Sequence, residues 1–160
     1  MKRTDKINYY LDIADSVLQR STCLRRRYGA IIVKNDEIIA TGYNGAPRGR
    51  MNCMDLDYCA REKYNIPSGE RYELCRSVHA EANCIISAAR RDMIGSVMYL
   101  AGRDAKTNEL LTECVPCSMC RRLIINAGIS KVISRTVSGV TVTDVRDWVF
   151  TDDSLHIPEN

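Results

Sequence analysis

The chain has 160 residues, of which 45% are hydrophobic and 27% charged, the balance of an ordinary globular protein. This balance predicts a single domain over residues 1–160 and excludes a disordered chain, a fibrous protein and a small disulfide scaffold, and no apolar run approaches the roughly 20 residues of a membrane span. The net charge of +3 is too small to indicate a nucleic-acid coat, although 17 of the 23 basic residues are arginines, whose planar fork suits phosphate.

The first elements of the chain are predicted to be a helix and a β-hairpin. Apolar residues recur at helical spacing over residues 6–20, on a stripe made of Ile7, Tyr10, Leu11, Ala14, Val17 and Leu18. Thr4 or Asp5 is placed to cap this helix. Two apolar runs follow, Tyr28–Val33 and Glu37–Tyr43, and the turn residues between them indicate a hairpin.

Residues 44–76 show no clear hydrophobic period. Gly, Pro, Asn, Cys and charged residues are mixed there, which predicts a long ordered loop with one helical turn. Because a loop of this length is unusual in a compact domain, we expect something to clamp it.

Strands and helices alternate in the second half of the chain. Helices are predicted over Ala80–Arg91, with an apolar stripe of Ala82, Ile85, Ile86 and Ala89, and over Ser118–Ala127, followed by Gly128 at the helix end. The other predicted pieces are strands at Val97–Ala101 and Lys131–Arg135, a turn at Asp104–Asn108, an apolar segment at Val137–Val142 and a helical turn at Val145–Phe150. This alternation predicts an α/β fold, a three-layer α-β-α sandwich with a mixed central sheet. His156, in the polar tail, is predicted to be a surface residue without function.

Eight cysteines against two histidines are an unusual balance, and the N-terminal residues lack the apolar stretch of a signal peptide. We therefore expect a reducing, cytoplasmic compartment. In such a compartment, cysteine clusters favour metal binding or catalysis over disulfides.

The sharpest chemical signal combines His79-Ala80-Glu81 with the run Pro116-Cys117-Ser118-Met119-Cys120. His79, Cys117 and Cys120 supply three of the four ligands of tetrahedral zinc, and a catalytic zinc keeps the fourth position for water. Each piece opens a predicted helix, and helix N-termini that converge on one metal favour thiolate. Glu81 is placed to face the bound water and act as general acid and base. The alternative, a purely structural zinc knot, has no need for this carboxylate.

These motifs match the H-x-E and P-C-x-x-C signature of zinc-dependent nucleobase deaminases. The chain resembles the cytidine deaminase superfamily, and more narrowly the deoxycytidylate (dCMP) deaminases, from about Ile7 to Arg135. The block Gly42–Pro47 is the part that separates dCMP deaminases from nucleoside and tRNA deaminases. The resemblance implies zinc-dependent hydrolytic deamination of dCMP to dUMP, which feeds thymidylate synthesis.

The resemblance also implies a homo-oligomer, often a hexamer, that is frequently activated by dCTP and inhibited by dTTP. The chain departs from the family in one place, because 34 residues separate Glu81 from Pro116. The surplus lies near Gly102–Thr112, where an inserted turn is expected beside the mouth of the active site. We expect it to bear on effector response or substrate range and to leave the zinc ligands undisturbed.

Three residues are predicted to contact the substrate. In the superfamily that the chain resembles, the asparagine that matches Asn44 hydrogen-bonds the sugar; the alternative is a turn residue before Gly45. A 5′-phosphate needs a donor, and the resemblance to bacterial dCMP deaminases makes Arg25 the first candidate and Arg26 the second. A solvated surface cluster is the alternative for these arginines.

Four further cysteines flank or lie inside the aperiodic segment, namely Cys23, Cys53, Cys59 and Cys75. Four thiolates make a closed structural zinc site, which would clamp the loop. In some dCMP deaminases the ligands of a second zinc match Cys23 and Cys53, and Cys59 and Cys75 extend that set here. The alternative is four reduced, partly buried thiols. Cys84 is predicted to pack in the core, and Cys114 has no predicted role.

Two other classes of function stay open. Related deaminases act on nucleosides, dCTP, tRNA adenosine, polynucleotide cytosine or a pyrimidine of riboflavin synthesis. The mild net charge, one Trp and one Phe argue against a nucleic-acid substrate. A non-enzymatic, zinc-stabilised interaction protein is the second class, and Glu81 argues against it.

Overall fold

One mixed sheet of five strands organises the computed structural model, which describes residues 1–151. The strands are β1 (Arg26–Lys34), β2 (Glu37–Tyr43), β3 (Val97–Asp104), β4 (Lys131–Thr136) and β5 (Gly139–Asp144). Their order across the sheet is β2-β1-β3-β4-β5. Only β3 and β4 run parallel, and the other neighbours are antiparallel. The prediction for His156 lies outside the described residues.

Helices cover both faces of this sheet. They are α1 (Lys6–Leu18), α2 (Cys53–Leu56), α3 (Ala60–Lys63), α4 (Ala80–Ile86), α5 (Arg90–Met93), α6 (Ser118–Ala127) and α7 (Val145–Phe150), with a 3₁₀ turn at Tyr72–Leu74. Helix α1 packs on one face, and α4 and α6 belong to the core on the other face. The predicted three-layer α-β-α sandwich is therefore confirmed.

The α1 layer forms as its apolar spacing predicts. Tyr10, Leu11, Ala14 and Leu18 are buried against strand residues that include Ile31 and Tyr99. Of the two predicted caps, the Asp5 carboxylate is the one that accepts a hydrogen bond from the helix, from the Asn8 amide at 3.0 Å.

The opposite layer brings α4 unusually close to β2, and a glycine makes this possible. A Cβ placed on Gly42 would overlap the backbone of Ala80 and Cys84. Because no side chain separates strand from helix there, the start of α4 lies directly on the sheet. This close approach fixes the position of His79, the residue that caps α4.

The structure differs from the predicted elements in two places. The helix predicted over Ala80–Arg91 is two helices, α4 and α5, because Ala89 has an extended backbone between them. The predicted apolar stripe is wrong in part, since Ile86 is 68% exposed and the buried residues of α4 are Ala80, Glu81 and Cys84. The aperiodic segment contains α2, α3 and the 3₁₀ turn rather than one helical turn.

Among residues 1–151, every helix falls short of the length and apolar character that crossing a membrane requires.

Candidate metal centre and its cavity

The three predicted metal ligands meet where two helices begin. His79 is the N-cap of α4, Cys117 is the N-cap of α6, and Cys120 lies in the first turn of α6. His79 Nδ1 is 3.4 Å from Cys117 Sγ and 3.5 Å from Cys120 Sγ. The three ligand atoms all lie within 4.8 Å of one another. The convergence predicted from the two motifs is present.

This spacing fits zinc. Tetrahedral zinc with a nitrogen ligand at about 2.05 Å and a sulfur ligand at about 2.3 Å would separate the two ligand atoms by about 3.6 Å. The two observed nitrogen–sulfur distances are within about 0.2 Å of that value. One histidine and two cysteines also leave the fourth tetrahedral position open, as catalytic zinc sites do.

The electrostatics of the two thiols favour a thiolate at this position. Hydrogen bonds with Cys120 and His79 lower the pKa of Cys117 to about 4. The pKa of Cys120 is raised, chiefly because its hydrogen bond goes to Cys117 and because it is buried. The hydrogen bond with Cys117 in turn raises the pKa of His79. A bound metal cation would displace the protons that Cys120 and His79 hold, and its positive charge would balance the thiolates in their place.

Glu81 lies in the first turn of α4, two residues after His79, and is 5% exposed. Burial raises the pKa of its carboxyl group above the ordinary value. Burial, followed by the charge of the Glu81 carboxylate, raises the pKa of Cys84 and of Cys114 to about 12. A carboxyl whose pKa moves up from 4.5 is better matched to proton exchange near neutral pH.

A single cavity joins the metal ligands to the predicted substrate contacts. His79, Cys117 and Glu81 line it together with Asn44, Arg25 and Arg26. The remaining lining residues are Cys23, Tyr28, Cys59, Arg61, Ser68, Tyr72, Cys75, Ser77 and Val115. Residues from the first hairpin, the aperiodic segment and both metal-bearing helices therefore face one space.

The side chain of Asn44 holds the start of β1 in place. Its Oδ1 accepts hydrogen bonds from Ser21 Oγ at 2.5 Å and from the Tyr28 amide at 2.8 Å. Its Nδ2 donates to the Arg26 carbonyl at 2.9 Å. Nδ2 carries a second hydrogen, which is the donor available for a sugar oxygen. The sugar contact stays a prediction.

The two candidate phosphate residues differ in their partners. Arg25 Nε forms an ion pair with Glu62 Oε1 at 3.2 Å, and Arg26 is exposed at the start of β1. Both line the cavity. Their role in phosphate binding stays a prediction.

The four cysteines proposed for a second zinc lie in one neighbourhood. Cys23, Cys59 and Cys75 line the cavity, and Cys53 is buried next to them. Burial and the nearby thiols raise the pKa of Cys53. Within residues 1–151, only the His79 cluster has three or more ligand atoms that all lie within 4.8 Å of one another.

The turn at Asp104–Asn108, in the stretch predicted to be inserted, contacts Arg25 and Arg27 from outside the cavity. The Ala105 amide donates to the Arg25 carbonyl at 2.9 Å, and Arg27 Nη2 donates to Asn108 Oδ1 at 2.6 Å. Of the described residues that line the cavity, none comes from Gly102–Thr112.

Arg61 and Tyr72 are among the residues of the cavity wall that sequence reasoning missed. Arg61 is 4% exposed, and its guanidinium carbon lies 4.6 Å from the centre of the Tyr72 ring. The Tyr72 ring meets the His79 ring edge to face, with centroids 5.1 Å apart. Both belong to the aperiodic segment, so the only available signal was a basic and an aromatic residue in a segment predicted to be clamped.

Comparison with known proteins agrees with this site. A family model described as the cytidine and deoxycytidylate deaminase zinc-binding region matches residues 4–136. The deoxycytidylate deaminase of Mycobacterium phage D29 is 37% identical over 138 residues, which cover 83% of this chain and 96% of that protein. The chain therefore belongs to the cytidine and deoxycytidylate deaminase family.

Two further relatives extend the comparison. The deoxycytidylate deaminase of Schizosaccharomyces pombe is 32% identical over 131 residues, which cover 81% of this chain and 36% of that longer protein. The crystal structure of the dCMP deaminase of cyanophage S-TIM5 in complex with dCMP and dUMP superposes with a TM-score of 0.57 at 27% identity. That match covers 84% of each chain.

Proposed function

We infer that this chain is a zinc-dependent dCMP deaminase, which hydrolyses dCMP to dUMP and ammonia. The observation that carries this is the buried Glu81 carboxylate in one cavity with His79 and Cys117, which form a cluster with Cys120. The dCMP deaminases similar to the chain support the substrate. The product dUMP would supply thymidylate synthesis.

The residues divide the chemistry between them. His79, Cys117 and Cys120 would hold zinc, which when bound lowers the pKa of a water in its fourth position and makes that water a nucleophile. Glu81 takes a proton from the water that adds to C4 of the cytosine and delivers a proton to N3. Glu81 then helps to protonate the 4-amino group, so that the C4–N4 bond breaks and ammonia leaves. Burial of Glu81 keeps bulk water from competing for these protons.

The lining of the cavity supports a nucleotide over a nucleoside. Three arginines line it against one carboxylate, that of Glu81. A zinc ion with two thiolates adds no net charge, whereas a second zinc with four thiolates and Glu62, the partner of Arg25, would offset part of the positive charge. What favours a nucleotide is therefore the set of guanidinium donors in the cavity, which suit a 5′-phosphate and which a neutral nucleoside would not use in the same way.

The test compares Glu81→Gln with Glu113→Gln, an exposed carboxylate close to the metal ligands in sequence. Glu81→Gln should keep zinc and dCMP binding, because Gln has nearly the same shape, but lose at least about 10²- to 10⁴-fold in kcat because it cannot carry the proton. Glu113→Gln should keep wild-type turnover. The measurements are ammonia release from dCMP, CMP, dCTP and deoxycytidine, and metal content. An active, zinc-loaded Glu81→Gln enzyme would contradict the assignment of Glu81 as the general acid and base.

We also propose a second, structural zinc held by Cys23, Cys53, Cys59 and Cys75. Their shared neighbourhood and the length of the segment they flank support it. Metal analysis should give two zinc ions per chain, and Cys75→Ser should lower this to one. Cys84→Ala, which removes a fully buried thiol elsewhere, should leave two. One zinc per wild-type chain would contradict the proposal.

The family resemblance supports three further parts of the proposal, which are a homohexamer, regulation by dCTP and dTTP, and a cytoplasmic location. Sedimentation equilibrium and assays of dCMP turnover, each with and without dCTP or dTTP, test the first two together. We expect one species of six chains, with dCTP raising and dTTP lowering dCMP turnover. A monomer that is insensitive to both nucleotides would contradict both.

A further inference from the structure

Arg61 is a buried cation in the wall of the cavity. It belongs to the short helix α3 and is 4% exposed. Its guanidinium donates to the carbonyl oxygens of Glu70 and Pro67, the latter at 2.7 Å. The Tyr72 ring covers one face of the guanidinium. The side chain is thus held in one orientation by backbone acceptors and an aromatic ring.

Arg61 forms no direct ion pair with a carboxylate among residues 1–151, and only a longer-range attraction links its charge to Glu73. Carbonyl oxygens satisfy some of its five N–H donors but offset none of its formal charge. Moving an arginine out of water is costly unless an anion compensates it. A buried, preorganised guanidinium that faces a cavity and forms no direct ion pair is therefore suited to an anionic ligand.

The position of Arg61 relative to the metal ligands matters as much as its charge. Tyr72 lies between the two groups, against the Arg61 guanidinium and against the His79 ring. Arg61 is therefore one aromatic ring away from a metal ligand. In a 5′-nucleotide, the phosphate is separated from the reacting base by the sugar, so an anion site displaced from the metal by one ring suits that geometry.

We propose that Arg61 is the residue that recognises the substrate phosphate and makes the site prefer a nucleotide to a nucleoside. This proposal rests on the function inferred above. It also separates Arg61 from Arg25, the residue predicted from sequence. The charge of Arg25 is already paired with Glu62, and its side chain is 32% exposed, so water and Glu62 both weaken its pull on a phosphate.

The experiment measures kcat/KM for dCMP and for deoxycytidine in each zinc-loaded variant and takes their ratio. Arg61→Gln should lower this ratio about 10- to 100-fold, because each hydrogen bond to a charged group contributes about 1.5–3 kcal/mol and each 1.4 kcal/mol is tenfold. The deoxycytidine value should change little. Inorganic phosphate should inhibit dCMP turnover by the wild type more strongly than by Arg61→Gln.

Two further variants sharpen the test. Arg61→Lys keeps the charge and the carbonyl contacts but lacks the planar fork, so it should fold and lower the ratio by less than Arg61→Gln. Lys63→Gln removes a positive charge from the same helix at an exposed position and should leave the ratio unchanged.

The outcomes separate the proposal from the function on which it rests. A wild type that does not deaminate dCMP contradicts the function. A wild type that prefers dCMP, with Arg61 variants whose ratio stays within about twofold or whose two kcat/KM values fall equally, overturns the role of Arg61 and leaves the function intact. A ratio that falls in Arg25→Gln and not in Arg61→Gln would assign the phosphate to Arg25 instead.

Discussion

The side-chain amide of Asn44 has a structural role as well as a predicted contact with the sugar. It accepts hydrogen bonds from Ser21 and from the Tyr28 amide and donates one to the Arg26 carbonyl, all close to the cavity. Asn44→Ala should therefore lower the free energy of unfolding by about 1–3 kcal/mol, because it leaves buried donors without an acceptor.

Urea denaturation measures this change, and Ser21→Ala serves as the matched control. Ser21→Ala removes one of the three hydrogen bonds and should cost less than Asn44→Ala. If Asn44 also contacts the sugar, Asn44→Ala should raise KM in a way that Ser21→Ala does not. Equal stability losses in the two variants would contradict the structural part of this prediction.

Single residues differ in how much the sequence reveals about them. Short motifs made four residues predictable, because their chemistry depends on spacings that can be read directly from the sequence. These residues are His79, Glu81, Cys117 and Cys120. Arg61 could not be predicted, because its role depends on burial and on the Glu70 and Pro67 carbonyls, which only the folded segment supplies.

At the scale of whole elements, the contact between α4 and β2 determines the position of His79. Gly42→Ala places a Cβ where the backbone of Ala80 and Cys84 now lies. Because both neighbours are main chain, the helix must shift, and we expect a loss of about 1–3 kcal/mol in the free energy of unfolding together with weaker zinc retention. Thr41→Ala, at the exposed neighbouring position, should stay within about 0.5 kcal/mol.

Urea denaturation and competition for zinc by a chelator measure the two effects. Gly42→Ala with wild-type zinc affinity and stability would show that α4 is free to move away from β2 without consequence for the site.

The first hairpin provides a pH-dependent test of element docking. Asn35 and Asp36 form its turn with φ values of 51° and 66°, and Asp36 binds α1 through Lys6 Nζ at 2.7 Å and the Tyr10 hydroxyl at 2.6 Å. The hydrogen bond from Lys6, followed by that from Tyr10, holds the pKa of Asp36 below its ordinary value of 3.8. This contribution to stability is complete above pH 3.8 and is lost as the pH falls through the lowered pKa.

Asp36→Asn should therefore be less stable than the wild type at pH 7, and the difference should shrink below about pH 3.8 as the wild-type carboxylate is protonated. Thermal unfolding at several pH values measures it. Asp57→Asn is the control, because Asp57 also has a positive φ and makes no ion pair among the described residues. A difference between Asp36→Asn and the wild type that is constant with pH would refute the prediction.

Elements with a strong period were predictable, and short elements were not. The periodic helix α1 and the β1–β2 hairpin appear where the spacing placed them. Helices α2 and α3 span four residues each, which is too short for a period, and α2 is instead fixed by a capping box between Asn52 and Asp55. The buried face of α4 follows the backbone contact at Gly42 rather than its apolar stripe.

At the scale of the whole molecule, the metal joins parts of the chain that are distant in sequence. His79 follows the aperiodic segment, whereas Cys117 and Cys120 begin the helix that lies between β3 and β4 in the chain. Zinc that binds only the folded state stabilises it by about 4 kcal/mol at a thousandfold excess over Kd. For a chain of this size, each kcal/mol corresponds to about 2–4 °C in Tm.

Removal of zinc by a chelator should therefore lower the Tm of the wild type by roughly 8–16 °C for each zinc ion released, and added zinc should restore both Tm and dCMP turnover. Cys120→Ala already lacks one catalytic ligand, so the chelator should shift its Tm by less. Cys84→Ala removes an equally buried thiol that is not a predicted metal ligand and should keep the wild-type shift. Calorimetry with parallel metal analysis measures each step. A chelator-induced shift in Cys120→Ala as large as that of the wild type would mean that the His79 cluster does not hold the metal that stabilises the fold.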